Sequence, residues 1–328
     1  MTYSVHKGRH LIKQMVVIAA DGYILDIIGP YPATVNDASI LKDTLNKYND
    51  HFKRLFRDGD VHMTDRGFKD IVKELKQRKY QVKLPTIVPT TGKQLTTEQA
   101  NESRLVTKVR YKIECINGML KQFKLLANVR PNQQLQSVKA DFKIAAALLN
   151  EYFVPLESDK KNSQFIAQRM LARYSVHNNL LDKVNELGLD QKSKTFMKMN
   201  ENSCTDFPIL SLEDLECITL GNYQLKMAQS YVAEHIANTG RYEFQVCTDE
   251  RIQGISLLRA NIQSRHKNGT SYKAYIQYEP NESGYDAITG YYCRCKVGSR
   301  IVGTCSHVAS ILWILGYQRH KVSMPSCG

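Results

Sequence analysis

Between residues 291 and 313 the chain reads YYCRCKVGSRIVGTCSHVASILW, and no other stretch constrains its fold as tightly. It holds Cys293, Cys295, Cys305 and His307 in the spacing C-x-C-x9-C-x-H, three of only eight cysteines in 328 residues. Three thiolates and one imidazole complete a tetrahedral shell around Zn2+ and leave no position for water, so such a site is structural rather than catalytic. The preceding residues, GYYCRC, are strand-like, which puts Cys293 and Cys295 on the same side of an extended chain. Gly298 and Gly303 let the loop fold back and bring Cys305 and His307 to the metal. VASILWIL (308–315) then continues as a helix that buries Val308, Ile311, Leu312 and Leu315. The remaining cysteines, Cys115, Cys204, Cys217, Cys247 and Cys327, are scattered and read as packing or surface residues.

Compartment favours a metal site over disulfides, and charge points to a partner. No run of eighteen apolar residues occurs, and the N-terminal MTYSVHKGRH lacks an apolar signal core, so no membrane segment is expected. The expected location is intracellular, in the nucleus or cytoplasm, where thiols stay reduced and clustered cysteines bind metal. The net charge of +13 is uneven: residues 1–153 carry 25 Lys/Arg against 15 Asp/Glu, or +10, and the remainder 20 against 17, or +3. A basic excess gathered in one part of a chain points to a polyanionic partner, most often nucleic acid.

The first half alternates strand-like and helix-like segments. HLIKQMVVIAA (10–20) and YILDIIGPYPA (23–33) are β-rich runs on either side of Asp21-Gly22, a hairpin turn signal. Residues 36–56 read as an amphipathic helix capped by Asn36 or Asp37. A short strand (60–68), a helix (71–80), another strand (81–88) and helices over about 96–126 and 134–152 follow. Together they predict an α/β domain with a mixed sheet. PLESDKKNSQ (155–164) reads as a linker, 165–200 as helical, and 212–236 as helical over its second part; short strands follow Gly240, including 242–248 and 271–279. The expected domains are 1–153, a linker and helical region 154–210, and an α+β domain 211–328 with its metal-binding part at about 275–318.

The four-ligand pattern resembles the SWIM-type zinc finger, in which C-x-C, a loop and C-x-H run into a helix. That resemblance implies structural Zn2+ and a role in binding DNA or a protein partner.

A second resemblance is carried by YSVHKGRH (3–10), GPYPATVNDASIL (29–41), TDRGF (64–68) and NESRLVTKVRYKIECINGMLKQFK (101–124). In this order they resemble the DDE superfamily endonuclease domain of harbinger-type transposases, over residues 1 to about 153. The resemblance implies an RNase H-like fold and DNA cutting and joining by three carboxylates that hold two divalent ions. Hard Mg2+ prefers oxygen ligands, and two such ions activate the attacking oxygen and neutralise the leaving one. Asp65 matches the second carboxylate and Glu114 the third. Around Glu114, the basic residues Arg104, Lys108, Arg110, Lys121 and Lys124 read as a phosphate track.

The first carboxylate of that family belongs to an Asp-Gly-Thr-like strand before YSVHKGRH, where this sequence opens at Met1. Asp21, Asp26 and Asp37 do not match its position, so the domain reads as N-terminally truncated, with an incomplete catalytic site and at most a weak Mg2+ site. The resulting expectation is a transposon-derived, zinc-binding, DNA-binding protein that is inactive as this chain. The alternatives are an active endonuclease or transposase, if an upstream strand restores the Asp, and a protein-interaction module acting through the finger.

Overall fold

The computed structural model describes residues 3–4, 8–88, 94–156, 162–191, 195–199, 204–239, 243–247, 256–264 and 269–321. The chain divides into two compact units, one of residues 1–87 and 105–157, the other of residues 88–104 and 158–328. Unlike the contiguous domains expected from sequence, the second unit takes in residues 88–104 from within the first half and includes the helical region after 158. Residues 157–161 of the expected linker, and Cys327, lie outside the described residues.

The first unit opens with β1 (Tyr3–Ser4) and β2 (Arg9–His10), a short antiparallel pair, and then β3 (Ile12–Ile18) and β4 (Ile24–Pro32). The last two form a hairpin across Asp21-Gly22; Val16 faces Ile27, and Asp21 Oδ1 accepts from the Tyr23 amide at 3.0 Å. The predicted helix over 36–56 is two helices, α1 (Asp37–Lys47) and α2 (Asn49–Leu55), which meet at Tyr48. Asn36 caps α1 by accepting from the Ser39 amide, satisfying a donor that the first turn leaves open. Next come β5 (Val61–Met63), a 3-10 turn (Arg66–Ile71), α3 (Val72–Gln77) and β6 (Gln81–Lys83), with β5 and β6 parallel.

α4 (Thr97–Leu120) contributes residues 97–104 to the second unit and 105–120 to the first, which ends with α5 (Lys124–Ala127) and α6 (Val138–Glu151). Ile24 and Ile27 of the hairpin pack on Ile116, Leu120, Ala145 and Ala146, with Val16 and Ile18 beside them. Met15, on the alternate face of β3, packs with Leu41, Leu45, Phe52 and Leu75 instead. β3 thus meets a core on each face, with all its residues half-buried. The single mixed sheet predicted from sequence is not formed among the described residues. The hairpin and the parallel pair are separate two-stranded sheets, because no described strand bridges them.

The second unit begins its later part with α7 (Ser163–Tyr174), α8 (Asn179–Glu186) and β7 (Phe196–Met199). The helical reading of 165–200 fails at β7, where Phe196 is drawn into a strand pairing with Cys247 and buried. α9 (Leu212–Thr219) and α10 (Asn222–Thr239) follow, broken where Leu220 takes φ 53° and Gly221 φ 122°. A capping box between Ser211 and Asp214 starts α9. β8 (Glu243–Cys247), β9 (Ser256–Gln263), β10 (Ser271–Tyr278) and β11 (Ile288–Cys293) complete an antiparallel sheet ordered β11-β10-β9-β8-β7, and α11 (Ser306–Leu312) closes the unit.

Period-2 alternation divides that sheet between two cores. Leu258, Ala260, Ala274, Ile276, Tyr291 and Cys293 face one core with α9, α10 and α11, whereas Leu257, Tyr275 and Tyr292 face the other with Leu180 and Val184 of α8. Three buried tyrosines of the sheet keep their hydroxyls bonded: Tyr275 to Asp190 at 2.6 Å, Tyr278 to Asp206 at 3.1 Å and Tyr292 to Gln94 at 2.9 Å. Burial pushes Tyr292 up to about 12.

Candidate functional site

The sequence places Cys293 at the end of β11 and Cys295 two residues on, where the chain leaves the sheet. A tight turn follows, with the Gly298 amide donating to the Cys295 carbonyl and the Cys293 amide to the Gly298 carbonyl, both at 3.0 Å. A Cβ on Gly298 would collide with the Cys293 carbonyl, so only glycine allows this close return. Gly303 takes φ +69°, a conformation that glycine adopts freely, and lies against the Thr219 carbonyl. The returning chain reaches Cys305, which precedes the first turn of α11, and His307 lies in that turn. Val308, Ile311, Leu312 and Leu315 are buried, as the apolar spacing predicts.

One ligand atom from each of Cys293, Cys295, Cys305 and His307 lies within 4.8 Å of the other three. His307 Nδ1 is 3.8 Å from Cys293 Sγ. Tetrahedral coordination with bonds of about 2.0–2.3 Å spaces neighbouring ligands by roughly 3.5–3.8 Å, a spacing His307 and Cys293 meet, so the four donors lie within reach of one ion. The three cysteines are buried, and Tyr231 and Tyr272 pack around the imidazole with ring centroids at 5.5 and 5.2 Å. Burial pushes the Cys293 thiol well up, while hydrogen bonds from Cys293 and Cys295 pull Cys305 well down. Three sulfurs this close cannot all be anionic without a cation among them.

Arg300 is also buried, and its Nη2 donates to the carbonyl of Thr304, the residue before Cys305. Burial pulls the guanidinium down, and nearby Cys305 and Cys295 offset this. A complex of a divalent ion with three thiolates and a neutral imidazole carries one net negative charge, which a buried guanidinium is suited to balance. Sequence reading missed Arg300; its place inside the C-x9-C loop was the available signal.

In the first unit, Asp65 follows β5 and caps the 3-10 turn, with Oδ1 accepting from the Arg66 amide at 2.7 Å. Glu114 lies in the part of α4 belonging to the same unit. The two carboxylates converge on Arg110: Nη2 is 2.9 Å from Glu114 Oε1, and Nη1 is 3.8 Å from Asp65 Oδ2. A guanidinium thus occupies the point between them. Asp26 pairs with His51 at 3.0 Å and Asp37 with Lys13 at 2.6 Å, and Asp37 also lies against Gly67, two residues after Asp65. Among the described residues, the Cys/His cluster is the only group of three or more His, Cys, Asp or Glu side chains placed to hold an ion. Two carboxylates sharing an arginine do not fit a two-metal site, which requires bridging carboxylate oxygens around ions about 3.5–4 Å apart.

The predicted phosphate track is shorter than the sequence reading. Arg104 is buried in the second unit, where its guanidinium donates to the Leu220 carbonyl at 3.3 Å, and Arg110 serves the carboxylates. Lys108 is half-buried; Lys121 and Lys124 are exposed. Helical geometry accounts for the split. At about 100° per residue, Arg104 and Lys108 share one face of α4, while Arg110 and Glu114 share another. Proximity in sequence alone does not carry that rotation.

A family model described as DDE superfamily endonuclease matches residues 1–150, the region that holds Asp65, Arg110 and Glu114. No curated protein and no solved structure matches the chain. No helix among the described residues is long and apolar enough to cross a membrane.

Proposed function

We propose that this chain is a transposon-derived DNA-binding protein, built from an endonuclease-like unit whose two matched carboxylates share an arginine and a SWIM-type finger that holds structural Zn2+. The observation that carries the reading is the meeting of Asp65 and Glu114 at one guanidinium, inside the region matched by the endonuclease family model. The Cys3His cluster supplies the second half, since its ligand types and separations suit zinc. In this reading the first unit grips the DNA backbone without cutting it, because one arginine stands where the chemistry requires two divalent ions.

The test is binding of the full chain to duplex DNA across a salt series. A steep loss of affinity between low and physiological salt is expected, and Lys121→Glu with Lys124→Glu should flatten the slope by about 2 for two lost phosphate contacts. The same DNA is incubated with Mg2+ or Mn2+, and no cleavage is expected. Cleavage that vanishes in Asp65→Ala or Glu114→Ala overturns the inactive reading and restores the active endonuclease. A second reading, a protein-docking module acting through the finger, draws support from the engagement of Arg104 and Arg110 by protein groups, which leaves a smaller basic face. DNA affinity that does not respond to salt would favour it.

A further inference from the structure

We infer that Gln94 is a positioning residue of the Cys293–Cys295–Cys305–His307 centre, holding the C-x-C turn in its ligating shape. The inference deepens the metal-binding reading above and rests on it. Gln94 lies far from the cysteines in sequence yet within the same compact unit. Its Nε2 donates to the Cys293 carbonyl and to the Cys295 carbonyl, each at 2.6 Å, and its Oε1 accepts from the Tyr292 hydroxyl at 2.9 Å. An amide nitrogen carries two hydrogens, so each carbonyl takes one. Two carbonyl acceptors also fix which way the amide faces, because a flipped group would set oxygen against oxygen.

The consequence for the metal lies in the backbone between the ligands. A regular strand points the carbonyls of residues i and i+2 alike along the sheet, to be shared with a neighbouring strand. At Cys293 and Cys295 both carbonyls turn to one side chain instead, at the point where the chain departs from β11. β11 is the outermost strand of its sheet, and the Arg294 amide still donates to the Lys273 carbonyl of β10 at 2.9 Å, so Gln94 covers the free edge of β11 and fixes the peptide orientation from which both sulfurs project.

The residues after Gln94 brace the rest of the ligand loop. The Leu95 amide donates to the Lys296 carbonyl at 3.0 Å, and Ser299 Oγ donates to the Leu95 carbonyl at 2.8 Å. Asn101 Oδ1 accepts from the amides of Ile301 and Val302 at 3.0 and 3.1 Å. From α8's N-cap, Asn178 Nδ2 donates to the carbonyls of Tyr291 and Ser299 at 3.1 and 2.9 Å. None of these residues is a ligand, yet together they hold both arms of the loop. Outer partners of this kind orient ligands, and their loss typically costs about 10–100-fold in metal affinity.

The experiment measures Zn2+ affinity of the full chain by competition with a chromophoric chelator, and records the ligand-field spectrum of the Co2+-substituted protein. Gln94→Met keeps the side chain's length and removes both donors; Gln94→Glu keeps the acceptor for Tyr292 and removes the donors. Each should lower Zn2+ affinity by about 10–100-fold and shift the Co2+ bands. Tyr292→Phe removes only the contact to Oε1, and its loss should be smaller than either. Wild-type affinity and an unshifted Co2+ spectrum in a folded Gln94→Met or Gln94→Glu protein overturn the assignment. A wild-type chain that takes up no zinc overturns the metal reading beneath it, a result distinct from zinc binding that ignores Gln94.

Discussion

Cys293, Cys295 and Cys305 are at most 5% exposed and sit in a frame of hydrogen bonds from Gln94, Asn101 and Asn178, whereas the side chains of Asp65 and Glu114 are 56% and 48% exposed and share one arginine. The contrast follows from ligand chemistry. Buried thiolates are costly unless a cation neutralises them, so under the proposed metal-binding reading a cluster of three in a packed core would make the fold depend on the ion. Exposed carboxylates are stabilised by water, so the part-buried guanidinium of Arg110 beside them adds little. One site is therefore expected to be part of the unit's stability and the other to be nearly separable from it.

The largest expected effect tests the first half of that contrast. Cys305→Ala, or removal of the metal with a strong chelator, should unfold residues around 285–318. Structural zinc contributes about 10–16 kcal/mol of apparent binding energy in small fingers, comparable with the whole stability of a typical domain. Amide exchange should rise sharply over β11, the ligand loop and α11, while the β3–β4 hairpin stays protected. Unchanged protection in the ligand loop would break the comparison.

Arg300→Met should follow at about 3–5 kcal/mol, the usual cost of leaving one buried charge without its partner. The long apolar side chain fills much of the space, so the loss reports charge more than a cavity. Denaturant unfolding of the zinc-loaded protein measures it, and Arg300→Lys should recover part of the loss. A deficit under about 1 kcal/mol for Arg300→Met would mean that the centre does not need a counter-charge.

Legibility in the sequence followed the range over which each feature is encoded. The hairpin at Asp21-Gly22, the Asn36 cap and the Cys3His ligands are local signals, carried by neighbouring residue types, and each stands where its spacing places it. What the sequence did not reveal is non-local. The strap of residues 94–101 reads only as the approach to a helix, because its partners are the backbone carbonyls and amides of a loop about 200 residues away. β7 looks helical until Phe196 meets Cys247 across the sheet. Arg104 looks like a surface cation because nothing near it in sequence announces the Leu220 carbonyl. Asp65 and Glu114 were found through an ordered set of motifs, whereas Arg110 between them appears only once the chain is folded.

The exposed site predicts a smaller effect. A double-mutant cycle with Arg110→Gln and Glu114→Gln should give a coupling of about 0.3–0.5 kcal/mol, the usual value for an i,i+4 pair on a helix. A coupling several times larger would show that the pair is structurally embedded, and would erase the distinction between the two sites.

The smallest effect asks whether exposure or membership of a unit decides how much a charged cluster matters. His177 belongs to the unit with the Cys/His cluster but is about half exposed, with Nε2 2.9 Å from Asp182 and Nδ1 3.6 Å from Glu98. Hydrogen bonding to Asp182, and then the pull of Glu98, raises its pKa above the ordinary histidine value. A raised folded-state pKa means that the protonated ring binds its partners more strongly in the folded protein. The resulting stability is fully present below the unfolded pKa, near 6.5, and is lost as pH rises through the higher folded value. Wild type and His177→Gln should therefore differ most at mildly acidic pH and converge above neutrality, as measured by denaturant unfolding at fixed zinc. Two solvated carboxylates facing an exposed imidazole should give only a few tenths of a kcal/mol, within the range for surface pairs. If the difference instead approached that of Arg300→Met, membership of the unit with the packed Cys/His cluster would outweigh exposure. If it grew with pH, the sign of the His177 shift would be wrong, because only a lowered pKa produces that trend.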